Sequence, residues 1–270
     1  MVFTDQMNRK IELPEKPLRI ISLVPSQSEL LFSLGLNEEV VGITKFCVHP
    51  NEWFTSKPKI GGTKNIDIEK IKSLNPDLII GNKEENEKQQ IEELMKHFRV
   101  WMSDVNSLKD AYDMIVRVGA LVGKQQQAIL LKLQVESAFN LFINKASLNP
   151  QHSVAYFIWK KPYMVAAGNT FINDILGLCG LKNVFAEHDY MRYPEIQIEQ
   201  LEALQPECIF LSSEPYPFKE KHIEEFKSIC PQSKVIVVDG ELFSWYGSRL
   251  LNAPKYLSVL LDNMNGSNNN

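Results

Sequence analysis

The sequence predicts an α/β protein of two lobes, each with a mostly parallel sheet flanked by helices, bridged by a long backbone helix. Three observations lead there. Strands alternate with helices from Arg19 to Val105, the arrangement of a parallel sheet with helices on its faces. From Leu108 to Ala146 the pattern is helical without a strand, and the stretch Ile68 to Ile80 returns in character as Ile198 to Phe210. The expected divisions are a first lobe over 1–107, a helical linker over 108–147 and a second lobe over 148–270.

In chain order, Ile20 to Val24 reads as a buried strand, and SELLFSLGL as a helix opened by Ser26 or Ser28 and closed near Gly35. VVGITKF has strand composition, and Cys47 to Asn65, rich in Pro, Gly, Asn and Lys, reads as a loop. A helix from Asp67 to Leu74 leads through Asn75-Pro76-Asp77 into the buried strand LIIG. A further helix over Glu84 to Phe98 precedes the strand VWMSDV. The helical stretch that follows breaks around Gly119 to Gly123, and Leu131, Val135, Ala138 and Phe142 give its second segment one apolar face before the turn at Asn149-Pro150. The second lobe repeats the first: short helix, Pro turn, buried strand, polar helix, then a strand ending at Asp239 as its counterpart ends at Asp104.

Composition narrows the function classes. An apolar fraction of 44% and a charged fraction of 23% describe an ordinary globular chain. The net charge of −4, with no basic cluster, argues against nucleic acid as a partner. No apolar run approaches the ~20 residues needed to span a bilayer. The opening MVFTDQMNRK has no secretory signal pattern, so the expectation is a cytoplasmic chain if Met1 is the native start, and a periplasmic or cell-surface one if a signal was removed. Cys47, Cys179, Cys208 and Cys230 show neither a CxxC pair nor zinc-type spacing.

The opening FTDQMNRKIELP, then RIISLVPSQSELLFSLGL, then GGTKNIDIEKIKSLNPDLIIG resemble the helical-backbone, or class III, solute-binding proteins of ABC importers, and within them the cobalamin and iron-chelate branch. The resemblance covers Phe3 to about Leu261. It implies two lobes bridged by a rigid helix, with a shallow cleft between them for a metal-containing ligand such as cobalamin, haem or a ferric siderophore. It also implies a permease dimer as partner, docking on one acidic residue per lobe, which the repeat places at Glu69 and Glu199. Where the cobalamin branch carries an aromatic before GGTKN, this sequence has Ile60, Gly61 and Gly62. A monomer without an intrinsic cofactor is expected. The competing readings are a cytoplasmic chaperone or sensor of such a cofactor, and a cofactor-processing enzyme.

In open parallel sheets ligands sit beyond the carboxyl ends of the strands, which directs attention to loops 25–28, 46–65, 81–86, 159–164, 187–195, 212–218 and 240–249. Two of these concentrate aromatics: KFCVHPNEWF, Lys45 to Phe54, and LFSWYGSR, Leu242 to Arg249. The expected lining is Phe46, Trp53, Tyr163, Phe243, Trp245 and Tyr246, flat rings suited to a macrocycle, with Arg249 as polar anchor and Lys160 and Lys161 as further cations. Gly61 and Gly62 permit a tight turn or close approach of the ligand. His49 and Cys47, with His188 and Tyr190 in the second lobe, are the side chains able to reach a metal, though which of them does so is open. Catalytic signatures are missing: there is no GxSxG elbow, GGTKN lacks phosphate-loop spacing, and the adjacent Glu84 and Glu85 point apart at a helix start. The sequence therefore reads as a binding protein and not an enzyme.

Overall fold

Short, mostly buried strands separated by amphipathic helices build the chain, and the computed structural model describes residues 1–146, 151–187 and 191–266. They form two compact units. The first comprises Met1–Val105, Lys109–Glu136 and Tyr246–Arg249; the second comprises Asn106–Leu108, Ser137–Trp245 and Leu250–Asn270.

In the first unit an antiparallel hairpin, β1 (Val2–Thr4) and β2 (Lys10–Glu12), precedes β3 (Ile20–Ser22), α1 (Pro25–Ser33), β4 (Val40–Ile43), α2 (Asn51–Ser56), α3 (Ile68–Leu74), β5 (Leu78–Asn82), α4 (Lys88–Met95) and β6 (Val100–Ser103). The last four strands form an all-parallel sheet in the order β4-β3-β5-β6. Helix α5 (Leu108–Leu121) ends before Gly123, whose φ of +70° only glycine adopts readily, and α6 (Gln125–Ala146) then runs unbroken across the division between units at Glu136 and Ser137.

The second unit contains β7 (Ser153–Trp159), β8 (Tyr163–Val165), α7 (Phe171–Leu178), β9 (Lys182–Asn183), β10 (Glu195–Ile196), α8 (Ile198–Leu204), β11 (Cys208–Ser212), α9 (Ile223–Ile229), β12 (Lys234–Val238), α10 (Gly240–Ser244) and α11 (Ala253–Gly266). Its sheet runs β10-β8-β7-β11-β12, with β9 beside β7. The β7, β11 and β12 strands are parallel, while β8 and β10 add antiparallel pairings. The mixed α/β fold with parallel sheets matches the expectation. The hairpin β1–β2, the short strands β8 to β10 and the terminal helix α11 were not read from the sequence.

The internal repeat recurs in structure as helix, left-handed terminator, proline and strand. Both α3 and α8 stop at a left-handed residue, Asn75 (φ 44°) and Gln205 (φ 41°), followed by a proline that cannot continue the helix. Asp77 and Glu207 come next, at the start of central strands β5 and β11, whose five residues are all buried. Each acid pins the neighbouring strand. Asp77 Oδ2 accepts the backbone N–H groups of Leu18 and Arg19 at 2.9 Å, ahead of β3, and Glu207 Oε2 accepts that of Ser153 at 2.7 Å, at the start of β7. The cores lie under these strands: Ile21, Ile71, Ile79 and Leu94 in one unit, Phe157, Leu201, Ile209 and Phe226 in the other.

Two local expectations shift. The helix read from Glu84 begins only at Lys88, because the Asn82 carboxamide accepts the N–H groups of Glu84 and Glu85 and holds a turn there. The loop read over Cys47 to Asn65 contains α2, which starts after Pro50 and turns Trp53 inward. His188 and Tyr190, like the turn at Asn149-Pro150, lie outside the described residues.

The two caps differ in chemistry, since a left-handed conformation costs roughly 1–2 kcal/mol in most residues but less in Asn. Gln205→Gly should therefore raise stability by about 0.5–1 kcal/mol in urea unfolding after glycine's entropy is deducted, while Asn75→Gly should leave it nearly unchanged. Equal responses at the two sites would show that the backbone conformation does not govern them.

Candidate functional site

Each sheet delivers its loops to one edge, beyond the carboxyl ends of its parallel strands. In the first unit that edge is a polar network. Gln27, in the first turn of α1, donates to Ser103 Oγ at 2.5 Å, and Asn82 donates to the same hydroxyl at 3.0 Å. Asn86 accepts from Asn82 N at 2.8 Å and donates to Thr63 O at 3.1 Å, tying the turn after β5 to the glycine-rich turn. The Ser26 hydroxyl and Gln27 Oε1 are buried polar atoms with no hydrogen-bond partner among the described residues.

Against the glycine-rich turn stands Phe46, 50% exposed, with Lys45 Nζ 5.2 Å from its ring centroid. Gly62 makes room for it, because a Cβ there would lie 3.0 Å from the ring. Gly61 serves the turn itself: its φ is +92°, and a Cβ would approach Asn65 O to 2.5 Å. Both glycines thus have an explanation within the unit.

In the second unit the turn after β7 carries Trp159, 38% exposed, and the segment after β11 brings Tyr216 edge-on to it at 5.7 Å. Tyr216 rests in turn on Phe218, 4.7 Å away, so the pair stands on an aromatic base. Beside it Glu214 accepts two hydrogen bonds on one oxygen, from Trp245 Nε1 at 2.7 Å and from Ser244 Oγ at 2.9 Å. Burial raises the Glu214 pKa; the Ser244 and Trp245 hydrogen bonds oppose this, while the charges of Glu241 and Asp239 add to it. Gly240 must be glycine, since a Cβ would meet Ser212 Oγ at 2.4 Å and Glu214 Cγ at 2.7 Å.

The expected lining is corrected in several places. Trp53 is fully buried: its indole donates to Asn37 Oδ1 at 2.9 Å and its ring meets Phe32 edge-on at 5.4 Å. Phe243 is likewise buried, against Tyr156 and Phe210 at 5.2 and 6.0 Å. Both were expected in surface loops, but short helices α2 and α10 turn them into the core. Trp245 and Tyr246 are also buried, and the Tyr246 hydroxyl lies 3.5 Å from Glu85. Tyr163 is half-buried, donates to Glu225 Oε1 at 2.6 Å, and has its pKa pushed up to about 12 by burial and by that carboxylate. Arg249, expected as the anchor for a ligand anion, is already matched by Glu29, which takes its Nε and Nη2 at 2.9 and 2.7 Å. The segment Tyr246–Arg249 is held on the first unit by this bidentate pair, with Gly247 packed against Ser26 O and Leu30.

The metal-reaching side chains also change character. Cys47 is buried, hydrogen-bonded to Ser28 and Thr44 at 3.1 Å each, and burial pushes its thiol pKa up, which disfavours the thiolate that metals require. His49 is half-buried, and among the described residues no three His, Cys, Asp or Glu side chains group as a metal site. Lys160 pairs with Glu225, and Lys161 is exposed in a left-handed conformation. Glu69 and Glu199 are both exposed in the first turns of α3 and α8, Glu69 with Lys72 at 2.8 Å. Sequence reasoning did not single out Glu214 or Tyr216. The cue was there in Glu214-Pro215-Tyr216-Pro217, an acid and an aromatic fixed by prolines just past a buried strand.

Comparison with known proteins agrees with this architecture. The family model for periplasmic binding proteins matches residues 20–231. The chain belongs to that family. An uncharacterized ABC transporter substrate-binding lipoprotein of Bacillus subtilis is 26% identical over 269 residues, covering 94% of this chain and 83% of the relative. Among solved structures, the periplasmic vitamin B12 binding protein of Vibrio cholerae superposes with a TM-score of 0.80 at 22% identity, covering 92% of this chain and 98% of that one. A periplasmic heme-binding protein from Roseiflexus gives 0.79 at 23% identity, covering 91% and 98%. As in this family, parallel sheets flanked by helices form the framework. No described helix is long and apolar enough to cross a membrane.

The burial pattern separates structural from available aromatics. Trp53→Ala should cost about 3–5 kcal/mol in urea unfolding, as large buried rings do. Phe46→Ala, at an exposed ring, should stay within about 0.5 kcal/mol of wild type. The reverse order would refute this division.

Proposed function

We propose that this chain is the solute-binding component of an ABC importer and carries a metal-containing small molecule of the corrinoid, haem or ferric-siderophore kind, outside the cytoplasmic membrane. The observation that carries the reading is a pair of exposed rings, Phe46 in one unit and Trp159, backed by half-buried Tyr216, in the other, each at the carboxyl edge of its sheet in a member of a binding-protein family. A macrocycle or chelate presents a broad, largely apolar face, and exposed rings on rigid strand ends match it at low entropic cost. A bare ion would instead call for clustered hard or soft ligands. The relatives named for vitamin B12 and heme support the same ligand range. Binding without turnover follows, and the solute should be recovered chemically unchanged.

Titration with cobalamin, cobinamide, haemin and ferrichrome, followed by tryptophan fluorescence, should find at least one ligand bound below roughly micromolar, or about −8 kcal/mol. Trp159→Ala should weaken that ligand by about 1–3 kcal/mol if the ring is a central contact. Saturable binding of none, with tight binding of zinc or manganese ions alone, would reject the reading.

Permease docking is assigned to Glu69 and Glu199. Their equivalence in the repeat puts the same exposed carboxylate on the same turn of both units, the arrangement that a two-fold permease dimer with basic sockets would engage. The alternative function of these carboxylates is to complement the helix dipole, which needs no partner. Reversing both charges, Glu69→Arg with Glu199→Arg, should abolish stimulation of the permease's ATPase by loaded protein and leave solute affinity unchanged. Undiminished stimulation would remove the docking role.

A further inference from the structure

Glu214 is a costly residue for what it does within its own unit. Its Oε1 accepts from Trp245 and Ser244, two neutral donors that a glutamine carbonyl would satisfy equally well. Among the described residues no lysine, arginine or histidine is seen to pair with it, and the hydrogen bonds to its carboxylate fall on Oε1. Partial burial of a carboxylate without a cation is unfavourable. The charged second oxygen therefore calls for a use outside the fold. Its place supplies one. Glu214 follows the carboxyl end of central strand β11 and stands two residues before half-buried Tyr216, which packs edge-on against the exposed ring of Trp159 at this edge.

We propose that Glu214 is the specificity-determining acceptor of the second unit, receiving on Oε2 an N–H donor from the solute's periphery and so selecting amide-bearing macrocycles over those edged with carboxylates. The inference rests on the solute-binding reading above and narrows it. Its clamp fixes the direction of the carboxylate: with Oε1 held by the indole and the hydroxyl, the side chain cannot rotate away when ligand arrives. The surrounding charge has the same sense, since Asp239 and Glu241, at the start of α10, lie near enough to act on Glu214 electrostatically. A propionate brought to this place meets negative charge, whereas an amide or ammonium group meets an acceptor. A site built to hydrogen-bond a donor rejects an analogue lacking it far more strongly than an apolar pocket can. Within this unit Lys160, next to Trp159, is paired with Glu225.

The test compares cobinamide, rich in amides and lacking free carboxylates, with haemin, which carries two propionates. Wild type should bind cobinamide at least tenfold more tightly than haemin. Glu214→Gln, which keeps the acceptor for Trp245 and Ser244, should weaken cobinamide about tenfold and leave haemin unchanged or tighter, with melting temperature and tryptophan emission close to wild type. Acidity gives a second readout. The titratable groups acting on Glu214 are Asp239, the N-cap of α10, Glu241 within that helix and the Tyr156 phenol of β7, whose pKa is raised by burial so that it stays protonated. With its pKa raised, Glu214 is anionic only above that value, so wild-type affinity for cobinamide should fall as the pH drops through it, while the Gln variant stays flat over the same range. Equal loss for both ligands, or no change for either, would make Glu214 a structural clamp and overturn the inference. A preference of wild type for haemin would also overturn it. Binding of neither compound nor ferrichrome by wild type would be a different failure, that of the solute-binding reading itself.

Discussion

Parallel pairing of the central strand with its neighbours is the constraint on which the rest of each unit depends. A parallel strand cannot be reached through a tight turn, so every crossover must pass through a helix and every exit loop must emerge at the same edge. In both units the register of that pairing begins at one carboxylate. Asp77 and Glu207 accept backbone N–H groups from the start of the adjacent strand, and each is delivered by the same device: a short helix, a left-handed terminator and a proline. Once the amino ends are aligned, the opposite ends are aligned as well, and chemistry accumulates there.

What accumulates differs between the units, although their frameworks repeat. The first gathers neutral amides and hydroxyls, Gln27, Asn82, Asn86 and Ser103, interlocked in one hydrogen-bonded network. The second gathers aromatics in contact with one another and an oriented carboxylate. A duplicated scaffold thus presents two unlike surfaces. The divergence lies in loops, where substitution leaves the buried pairing untouched, while the helix–proline–acid unit that sets the register stays recognisable at a spacing that unites Ile68 with Ile198.

This division also explains what the sequence revealed. The strands of β3, β5, β7 and β11, the long helix α6 and the repeat were legible because burial on both faces leaves continuous apolar runs and because helical periodicity extends over many turns. Composition identified the loops that carry aromatics but not the direction in which each ring points. Trp53 and Phe243 occupy one-turn helices too short to show a period, so inward and outward rings looked alike. Arg249 looked like an unclaimed cation because its partner, Glu29, lies far away in the chain. Glu214 was missed for the complementary reason: a carboxylate in a polar loop is unremarkable until Trp245 and Ser244 are seen to hold it.

The strap Tyr246–Arg249 has a consequence for how the polypeptide is completed. These four residues come late in the chain yet are integral to the unit formed by its beginning, where they supply the counter-ion of Glu29 and cover the first turn of α1. During synthesis the residues of the first sheet are made long before this piece, so the partner of Glu29 arrives 220 residues after it. The first unit is therefore completed by residues that follow most of the second in the chain, and a nascent chain stopped short of Tyr246 would leave Glu29 without its counter-ion.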